Sequence, residues 1–428
     1  NKIGKNVSTV KNSKYFKISF NAVQKAIKNQ IISAGHDISS GGFLTTLIEM
    51  FFPTPNSGAE INIPSEGDIN SDLFFEKPGI IIQSDYDLES LFKSQKVKCF
   101  KLGDVNSSGY LTLNHKDVKM DLEIDYYRDL WYRTSADLDS YQTQNNLSVE
   151  RFKNYKNQPL EYTFPKSFSG VFAPKLKNTK IKAAVIREKG SNSEREMAYA
   201  MQIAGFEVTD IHMTDLITGY SNLSEFKFIV AVGGFSNSDV LGSAKGWAGS
   251  FIYNKKAKDS LTNFFNRKDT LSLGVCNGCQ LFIELGLITP EIKDKPKMIH
   301  NESGKFECIF TAVDILPSSS IFLNGIVGSK LGIWAAHGEG RFYLPGPKSQ
   351  YQIPATYHFD SYPANPNGSD YNAAMLSSKD GRHLVMMPHL ERSTFPWNWA
   401  YYPYERKKDK ISPWIKVFEN AYDWLKNK

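Results

Sequence analysis

Apolar residues in the first 125 positions recur first at helical spacing and then at strand spacing. Residues 17–52 are predicted to form a helix, a glycine-bearing loop and a second helix, because apolar positions such as Ala22 and Ala26 lie one turn apart. Short apolar runs at residues 79–83 and 109–113 predict strands. Together these elements predict a small α/β unit.

Residues 126–178 have no clear apolar period. They are rich in Tyr, Asn, Gln, Lys and Pro, and we interpret them as a connecting segment that is partly helical around residues 129–135. An ordinary surface linker that packs on its neighbours is the favoured interpretation, and a functional role is the alternative.

A regular alternation of strands and helices begins at residue 181. Apolar runs predict four strands, at residues 181–186, 206–211, 228–232 and 271–275. Ser193 to Glu196 fits a capping box, so a helix is predicted from there to about Ile203. Strands that alternate with helices indicate an α/β fold with a doubly wound parallel sheet, which binds its ligands at the carboxyl ends of the strands.

Composition and charge exclude some function classes. The chain has 428 residues, 41% of them hydrophobic, which is enough for two or three domains. The net charge of +6 suits anionic small molecules, but the basic residues are scattered, so we do not expect nucleic-acid binding. We recognise neither a signal peptide nor an apolar run of membrane-spanning length, and we expect no membrane association.

Four cysteines are too few for a secreted disulfide scaffold and predict a reducing compartment, the cytoplasm. The sequence opens with Asn1 rather than Met, so we expect either a piece of a longer protein or a trimmed one.

The strongest chemical motif lies between the strand at 271–275 and an apolar helix. Gly274-Val275-Cys276-Asn277-Gly278 has the G-x-nucleophile-x-G spacing of a nucleophile elbow, with Cys in place of Ser. Small residues are needed two positions before and after the nucleophile, because strand and helix approach closely there. The helix N-terminus favours the reactive thiolate, and the Asn277 N–H would face a developing oxyanion.

Two other interpretations of Cys276 remain open. It can be a buried structural cysteine, or it can pair with Cys279 as a CxxC redox motif or half of a zinc site. A zinc site needs two further ligands, and the sequence contains neither a second CxxC nor an HxxxH. We therefore favour the nucleophile elbow.

A nucleophilic cysteine needs a base, and His389 is the preferred candidate. It follows an apolar strand at residues 383–388, and Glu391 lies two positions on, where its carboxylate can orient the imidazole. His337 is the alternative base, with Glu339 as its possible partner.

Glycines after the strand at 228–232 predict a second half of the oxyanion hole. We assign it to Gly234 and Phe235, whose backbone can approach a ligand closely. A plain β–α turn is an equally good interpretation of this segment alone.

These segments, in this order, resemble the class I glutamine amidotransferase domain, a flavodoxin-like fold. The family's Gly-x-Cys-x-Gly-x-Gln and His-x-Glu motifs match residues 274–280 and 389–391. The resemblance implies that Cys276, His389 and Glu391 form a catalytic triad and that Gln280 takes part in glutamine binding.

Within the glutamine amidotransferases, the sequence most resembles the phosphoribosylformylglycinamidine synthase family in its large single-chain form. The segments that resemble it are residues 233–236, 239–242, 274–280, 336–341, 365–369, 391–393 and 412–414. Upstream, residues 34–42 resemble the ATP-site loop of the second aminoimidazole-ribonucleotide-synthetase-like half, and residues 75–79 also have a counterpart there. That resemblance implies Asp37 as a magnesium ligand and Ser39 as a nucleotide contact.

The resemblance also implies a domain organisation and an activity. Residues 1–125 would be the C-terminal part of the synthetase-like domain, 126–178 a linker and 179–428 the amidotransferase domain. Glutamine hydrolysis through a thioester would supply ammonia, and ATP with Mg²⁺ would drive conversion of formylglycinamide ribonucleotide to the amidine. The upstream domains that bind this substrate and complete the magnesium site would lie outside this chain, the full-length form would be monomeric, and the linker would lie near the ammonia route.

Three positions depart from the family pattern. Leu390 stands where Pro is usual, Asn237-Ser238 replaces an aromatic–glycine pair, and Lys305 replaces Arg. None lies in the triad. The alternatives to this function are a stand-alone flavodoxin-like cysteine hydrolase and a catalytically silent regulatory module with the same fold.

Overall fold

The computed structural model describes residues 9–54, 56–64, 67–116, 118–157, 160–172 and 181–428. The predicted boundary between linker and amidotransferase domain, at residues 178 and 179, lies outside the described residues, as does the chain opening at Asn1. The chain divides into two compact units, residues 1–135 and 136–428.

The first unit contains four complete helices and six strands among its described residues. They are α1 (Ser13–Lys28), β1 (Ala34–Asp37), α2 (Gly42–Glu49), β2 (Gly58–Asn62), α3 (Ile69–Phe74), β3 (Ile80–Gln83), α4 (Leu88–Ser94), β4 (Gly103–Asn106), β5 (Tyr110–His115) and β6 (Val118–Glu123). Strands β4-β2-β5-β6 form one sheet in that order, and β1 pairs with β3. Helix α5 (Ile124–Asp139) begins in the first unit and ends in the second.

The predicted helices and strands of the first unit are confirmed. The prediction of a glycine-bearing loop between the two helices is wrong for the first half of that segment. Residues 34–37 form β1, which pairs antiparallel with β3. A four-residue strand that contains Gly35 and two polar residues has no apolar alternation, so the sequence pattern does not reveal it. Buried residues such as Leu111 and Leu113 of β5 form the core of this unit.

The second unit contains the remaining elements. They are α6 (Leu147–Asn154), β7 (Lys182–Arg187), α7 (Glu194–Ile203), β8 (Glu207–His212), α8 (Met213–Thr218), β9 (Phe228–Ala231), α9 (Lys245–Ile252), α10 (Lys255–Asn266), β10 (Leu271–Val275), α11 (Asn277–Glu284), β11 (Lys297–Ile299), β12 (Glu307–Ile315), β13 (Lys330–His337), β14 (Arg341–Tyr343), β15 (Gln352–Tyr357), β16 (Ala373–Ser377), β17 (His383–Met386) and α12 (Ile415–Lys426).

A nine-stranded sheet in the order β13-β12-β15-β16-β17-β10-β9-β7-β8 organises the second unit. The half from β17 to β8 is parallel, as the alternation of strands and helices predicts. The half from β13 to β17 is antiparallel, which the sequence analysis did not anticipate. The result is an α/β fold with a large mixed sheet.

The carboxyl ends of two central strands bring the candidate site residues together. Strands β10 and β17 run parallel, with Val275 opposite Met386. The backbone N–H of Cys276 donates to the carbonyl oxygen of Met386 at 2.8 Å. The cysteine therefore lies beside the chain segment that continues to His389.

Part of the predicted linker is attached to the second unit through partly buried ion pairs. Arg151 of α6 donates from Nη2 to Glu307 Oε2 at 3.0 Å, and its Nε lies 3.3 Å from Asp139 Oδ2. Tyr362 donates its hydroxyl to Glu307 Oε1 at 2.9 Å, and Lys305 pairs with Asp139. The helical stretch predicted around residues 129–135 is confirmed as part of α5. The segment is more helical than the sequence indicates, because α6 is a second helix within it.

We expect the Arg151→Met variant to unfold more easily, because it leaves the buried Glu307 carboxylate without its cationic partner. Breaking a buried pair in this way costs about 3 to 5 kcal/mol, and urea unfolding followed by circular dichroism measures it. Lys182→Met breaks a solvent-exposed pair with Glu225 and is the matched control. Equal effects of the two substitutions would contradict a structural role for the Arg151 pair.

Candidate active site

Cys276 occupies a strained turn between β10 and α11. Its φ is 52° and its ψ is −107°, a conformation that non-glycine residues rarely adopt. The residue is buried, and Asn277 begins the helix directly after it. This is the backbone geometry of a nucleophile elbow, which presents the side chain above the end of the strand.

The glycines on both sides of Cys276 are required by the close approach of strand and helix. A Cβ atom on Gly274 would lie 2.6 Å from the carbonyl oxygen of Gly278. A Cβ on Gly278 would lie 2.0 Å from the carbonyl oxygen of Ala231 in β9. The predicted reason for the G-x-C-x-G spacing is therefore confirmed by the structure.

His389 and Glu391 form a buried pair beside the cysteine. His389 Nδ1 and Glu391 Oε1 are 2.6 Å apart, and both side chains are almost completely inaccessible to solvent. Cys276 lies beside the His389 ring and contributes to raising its pKa, while the Cys276 Sγ donates to the Ala336 carbonyl oxygen at 3.5 Å. The backbone holds the ring in place, because the His389 N–H donates to the Trp334 carbonyl at 2.7 Å.

The electrostatics of this pair favour the ion pair over the neutral groups. Burial lowers the pKa of His389, but the Glu391 carboxylate and Cys276 outweigh it and raise that pKa from 6.5 to about 10. Burial raises the pKa of Glu391, whereas His389 lowers it, and the net direction is down. An imidazolium held between a carboxylate and a thiol can deliver a proton to a leaving group.

His337, the alternative base, directly follows Ala336, whose carbonyl oxygen accepts from Cys276 Sγ at 3.5 Å, but the His337 ring has other partners. Its Nδ1 is 3.2 Å from Asn301 Oδ1, and its Nε2 is 3.4 Å from Asn367 Nδ2. Burial, with a smaller contribution from His389, lowers the pKa of His337 to about 3. The structure therefore places a neutral imidazole at this position, without a carboxylate hydrogen-bonded to it among the described residues.

The alternatives for Cys279 find little support in the geometry. Its side chain is completely buried, and burial raises the pKa of its thiol well above the ordinary value. Neither cysteine of the CxxC pair is in a disulfide. Within the described part of the chain, no group of three or more His, Cys, Asp or Glu side chains could hold a metal ion.

The predicted oxyanion segment lies beside Cys276 and His389, although one of its donors is occupied. A Cβ on Gly233 would lie 2.8 Å from His389 Cε1 and 3.5 Å from Cys276 Cβ. Gly234 has a φ of 122°, in the region that favours glycine. The Phe235 N–H, however, donates to the Gly190 carbonyl at 2.9 Å, so this conformation does not present it to the site.

Asn277 and Gln280 lie in the first turn of α11 and connect the site to its surroundings. The Asn277 side chain accepts from the Ser236 N–H at 3.2 Å and donates to Gln280 Oε1 at 2.9 Å. Gln280 Nε2 donates to the Glu339 carbonyl at 2.8 Å. The backbone N–H of Asn277 is at the N-terminus of the helix, where N–H groups have no partner within the helix.

Asp37 and Ser39 belong to the first unit and lie at and just beyond the end of β1. The Asp37 side chain is 80% exposed, and its Oδ1 lies 3.6 Å from His36 Nδ1. The structure thus groups Cys276, His389, Glu391, Gly234, Asn277 and Gln280 in the second unit, whereas Asp37 and Ser39 are in the other unit.

One residue beside the site has a position that its sequence pattern does not predict. Ser193 was predicted to open a capping box, and this is wrong: Ser193 has a φ of 67° and its side chain makes no capping hydrogen bond. Its Oγ instead lies beside Gly233, 3.5 Å from where a Cβ on that glycine would be. A serine before a helix is so often a cap that the sequence offers no signal of this other position.

Comparison with known families identifies the class of the second unit. Its α/β fold with a large mixed sheet is that of a class I glutamine amidotransferase. The chain belongs to the family of CobB/CobQ-like glutamine amidotransferase domains, which matches residues 180–425.

Two curated relatives match most of the chain. "Probable phosphoribosylformylglycinamidine synthase, chloroplastic/mitochondrial" of Arabidopsis thaliana is 38% identical over 99% of this chain and 32% of its own length. Phosphoribosylformylglycinamidine synthase of Homo sapiens is 35% identical over 95% of this chain and 33% of its own length. The chain therefore spans about a third of the length of these relatives.

A solved structure was also found to be similar. PurLQS from Thermotoga maritima is 26% identical, with a TM-score of 0.46, and the match covers 58% of this chain and 100% of that one.

We expect Gly278→Ala to destabilise the second unit, because its methyl group would overlap the Ala231 carbonyl. Overpacking of this kind costs about 3 kcal/mol, which thermal unfolding detects as a lower midpoint. Gly249→Ala in α9 is the control: its methyl group would have no neighbour closer than 3.8 Å, so we expect no loss there. Equal midpoints for the two variants would show that the close approach at the elbow is not required.

We expect Glu391→Gln to reduce the pH dependence of stability above neutral pH. Because the folded-state pKa of His389 is raised from 6.5 to about 10, its contribution is complete below 6.5 and is lost as the pH rises towards 10. The lowered pKa of Glu391 contributes above 4.5 and is lost as the pH falls.

Urea unfolding at pH 6, 8 and 10 tests this expectation. The wild-type protein should lose stability over this range, and Glu391→Gln should be less stable at pH 6 and change less between pH 6 and 10. Glu196→Gln, an exposed carboxylate of α7, should follow the wild-type curve. Parallel curves for Glu391→Gln and wild type would refute the ion pair.

Proposed function

We propose that Cys276, His389 and Glu391 hydrolyse the side-chain amide of glutamine. The thiolate of Cys276 attacks the amide carbon, and the imidazolium of His389 gives its proton to the departing ammonia. The now neutral imidazole then takes a proton from water, which attacks the thioester; glutamate leaves and the thiolate–imidazolium pair is restored. The observation that carries this proposal is the elbow cysteine in contact with a buried His–Glu pair.

The oxyanion of the tetrahedral intermediate would be stabilised at the N-terminus of α11. We assign one donor to the Asn277 backbone N–H, and we retain Phe235 as a second donor. Since the Phe235 N–H is bonded to Gly190 in this conformation, its peptide would have to rotate to contribute, and the adjacent Gly234 permits such a change. Gln280 would contribute to glutamine binding by holding the Glu339 carbonyl in place.

We further propose that the ammonia serves the conversion of formylglycinamide ribonucleotide to formylglycinamidine ribonucleotide. The support is the identity of 35% to 38% with relatives named phosphoribosylformylglycinamidine synthase. ATP with Mg²⁺ would supply the activation of the amide oxygen that ammonia then displaces. Ammonia would have to be kept away from bulk water on its way to this reaction, because its protonated form is not a nucleophile.

Asp37 fits a magnesium site only as a partial contributor. Its exposed carboxylate is a suitable oxygen ligand, and Mg²⁺ in nucleotide sites uses one or two carboxylates plus phosphate oxygens. The described residues offer no group of three ligands, so the rest of the site would come from outside them. Ser39, two residues after Asp37 and just beyond β1, would contact the nucleotide.

The proposed organisation is a synthetase-like part at 1–125, a linker at 126–178 and the amidotransferase domain at 179–428. The free cysteines support a reducing compartment, for which we propose the cytoplasm. Among the described residues, no helix is both long and apolar enough to cross a membrane.

A diazo-ketone analogue of glutamine tests the glutaminase proposal. We expect a single adduct on the Cys276 peptide by mass spectrometry, blocked by excess glutamine. Cys276→Ala should remain unlabelled, whereas Cys308→Ala, which removes an exposed cysteine, should label as the wild type does. An adduct confined to Cys308, or none on the folded protein, would count against a glutaminase site at Cys276.

A further inference from the structure

The hydroxyl group of Ser193 is buried beside Cys276 and has no hydrogen-bond partner in the part of the chain that the structure describes. Ser193 is 4% exposed, and among the described residues its Oγ has no hydrogen-bond partner. The position directly before α7 would allow it to cap the helix, but the side chain does not do so. A buried hydroxyl without a partner is costly, and such groups in native proteins call for an explanation.

The location of this hydroxyl points to the reacting atoms. A methyl group placed on Gly233 would lie 2.8 Å from His389 Cε1 and 3.5 Å from both Cys276 Cβ and Ser193 Oγ. The serine hydroxyl, the imidazole ring and the cysteine side chain therefore surround the same small space next to Gly233.

The loop that carries Ser193 is fixed to the site on two sides. The Asn192 N–H donates to the Gly233 carbonyl at 3.0 Å. Asn192 Oδ1 accepts from Arg392 Nη2, the residue after Glu391, at 2.7 Å. The Ser193 backbone has a φ of 67°, a conformation disfavoured for serine that these contacts hold. The position of the hydroxyl is therefore set by the same segments that set the cysteine and the histidine.

We propose that, in the transition state of acylation, the Ser193 hydroxyl donates a hydrogen bond to the negative charge as it moves from the Cys276 sulfur to the substrate oxygen. A hydroxyl hydrogen can rotate to follow this charge, whereas the nearby Phe235 N–H is already bonded to Gly190. The inference rests on the proposed glutaminase function and adds a catalytic residue to it.

A donor that is unpartnered at rest and bonded in the transition state lowers the barrier selectively. Removing it should therefore affect rate and stability in opposite directions. Ser193→Ala keeps the Cβ atom and the backbone preference of serine, and it deletes the unsatisfied polar atom. The folded state should be unchanged or more stable, while catalysis slows.

The experiment compares Ser193→Ala and Ser193→Gly with the wild type in the 428-residue chain. For both variants we expect the rate of Cys276 labelling by the diazo-ketone, and kcat for glutamine hydrolysis, to fall by about 10- to 100-fold, the value of one hydrogen bond to a charged group. We expect KM to change by less than about twofold, and the thermal midpoint to stay the same or rise. Glycine relieves the positive φ, so agreement between the two variants separates the hydroxyl from backbone effects.

Ser377→Ala is the matched control, since Ser377 in β16 is also buried with an Oγ that lacks a partner in the described chain. Its labelling rate should equal that of the wild type. A Ser193→Ala variant that labels at the wild-type rate, or one that slows only because its thermal midpoint drops, overturns the inference. A wild-type protein that does not label at Cys276 instead refutes the glutaminase proposal itself.

Discussion

The close approach of β10 and α11 is the constraint on which the candidate site depends. Gly274 and Gly278 have no room for a side chain, because the helix begins against the carbonyl oxygens of its own turn and of β9. This packing forces Cys276 into its positive φ and lifts its side chain above the sheet. It also directs the first N–H groups of α11 towards the same space. The close packing at these two glycines therefore positions both the nucleophile and the helix dipole that stabilises its charge.

The antiparallel half of the sheet supplies the rest of the site. Strand β17 runs parallel to β10 and carries the chain to His389, whose backbone N–H is bonded to Trp334 of β13. Glu391 then lies buried against the imidazole, where its charge raises the pKa of His389 against the effect of burial. A neutral His337 lies at the end of β13 near the same cysteine. Burial lowers the pKa of both histidines, and the net shifts have opposite directions because, among the described residues, the Glu391 carboxylate is bonded to His389 and no carboxylate is bonded to His337.

The sequence was sufficient to predict the parts of this structure that depend on local pattern. The parallel strands, the elbow and its glycines follow from apolar runs and from a spacing with a direct steric cause. Long-range pairing was not predictable: β1 contains glycine and polar residues, and the antiparallel strands β12, β15 and β16 have no signature that distinguishes their neighbours. The hydrogen bond from the Phe235 N–H to the Gly190 carbonyl could not be predicted either, because it depends on how two loops pack against each other.

Ser193 illustrates why local rules fail most often at functional positions. Its sequence context satisfies a helix-capping rule, and in a purely structural helix the hydroxyl would bond to the first turn. Here the loop from Gly190 to Ser193 is bonded instead to the Gly233–Phe235 segment, which directs the serine away from its own helix. The Ser193 hydroxyl therefore has no hydrogen-bond partner among the described residues, and the Ser193 backbone has a positive φ. Both features lie close to Cys276, whose backbone φ is also positive. Strain and unsatisfied polarity that are concentrated around one thiol are what a site organised for a charged transition state requires.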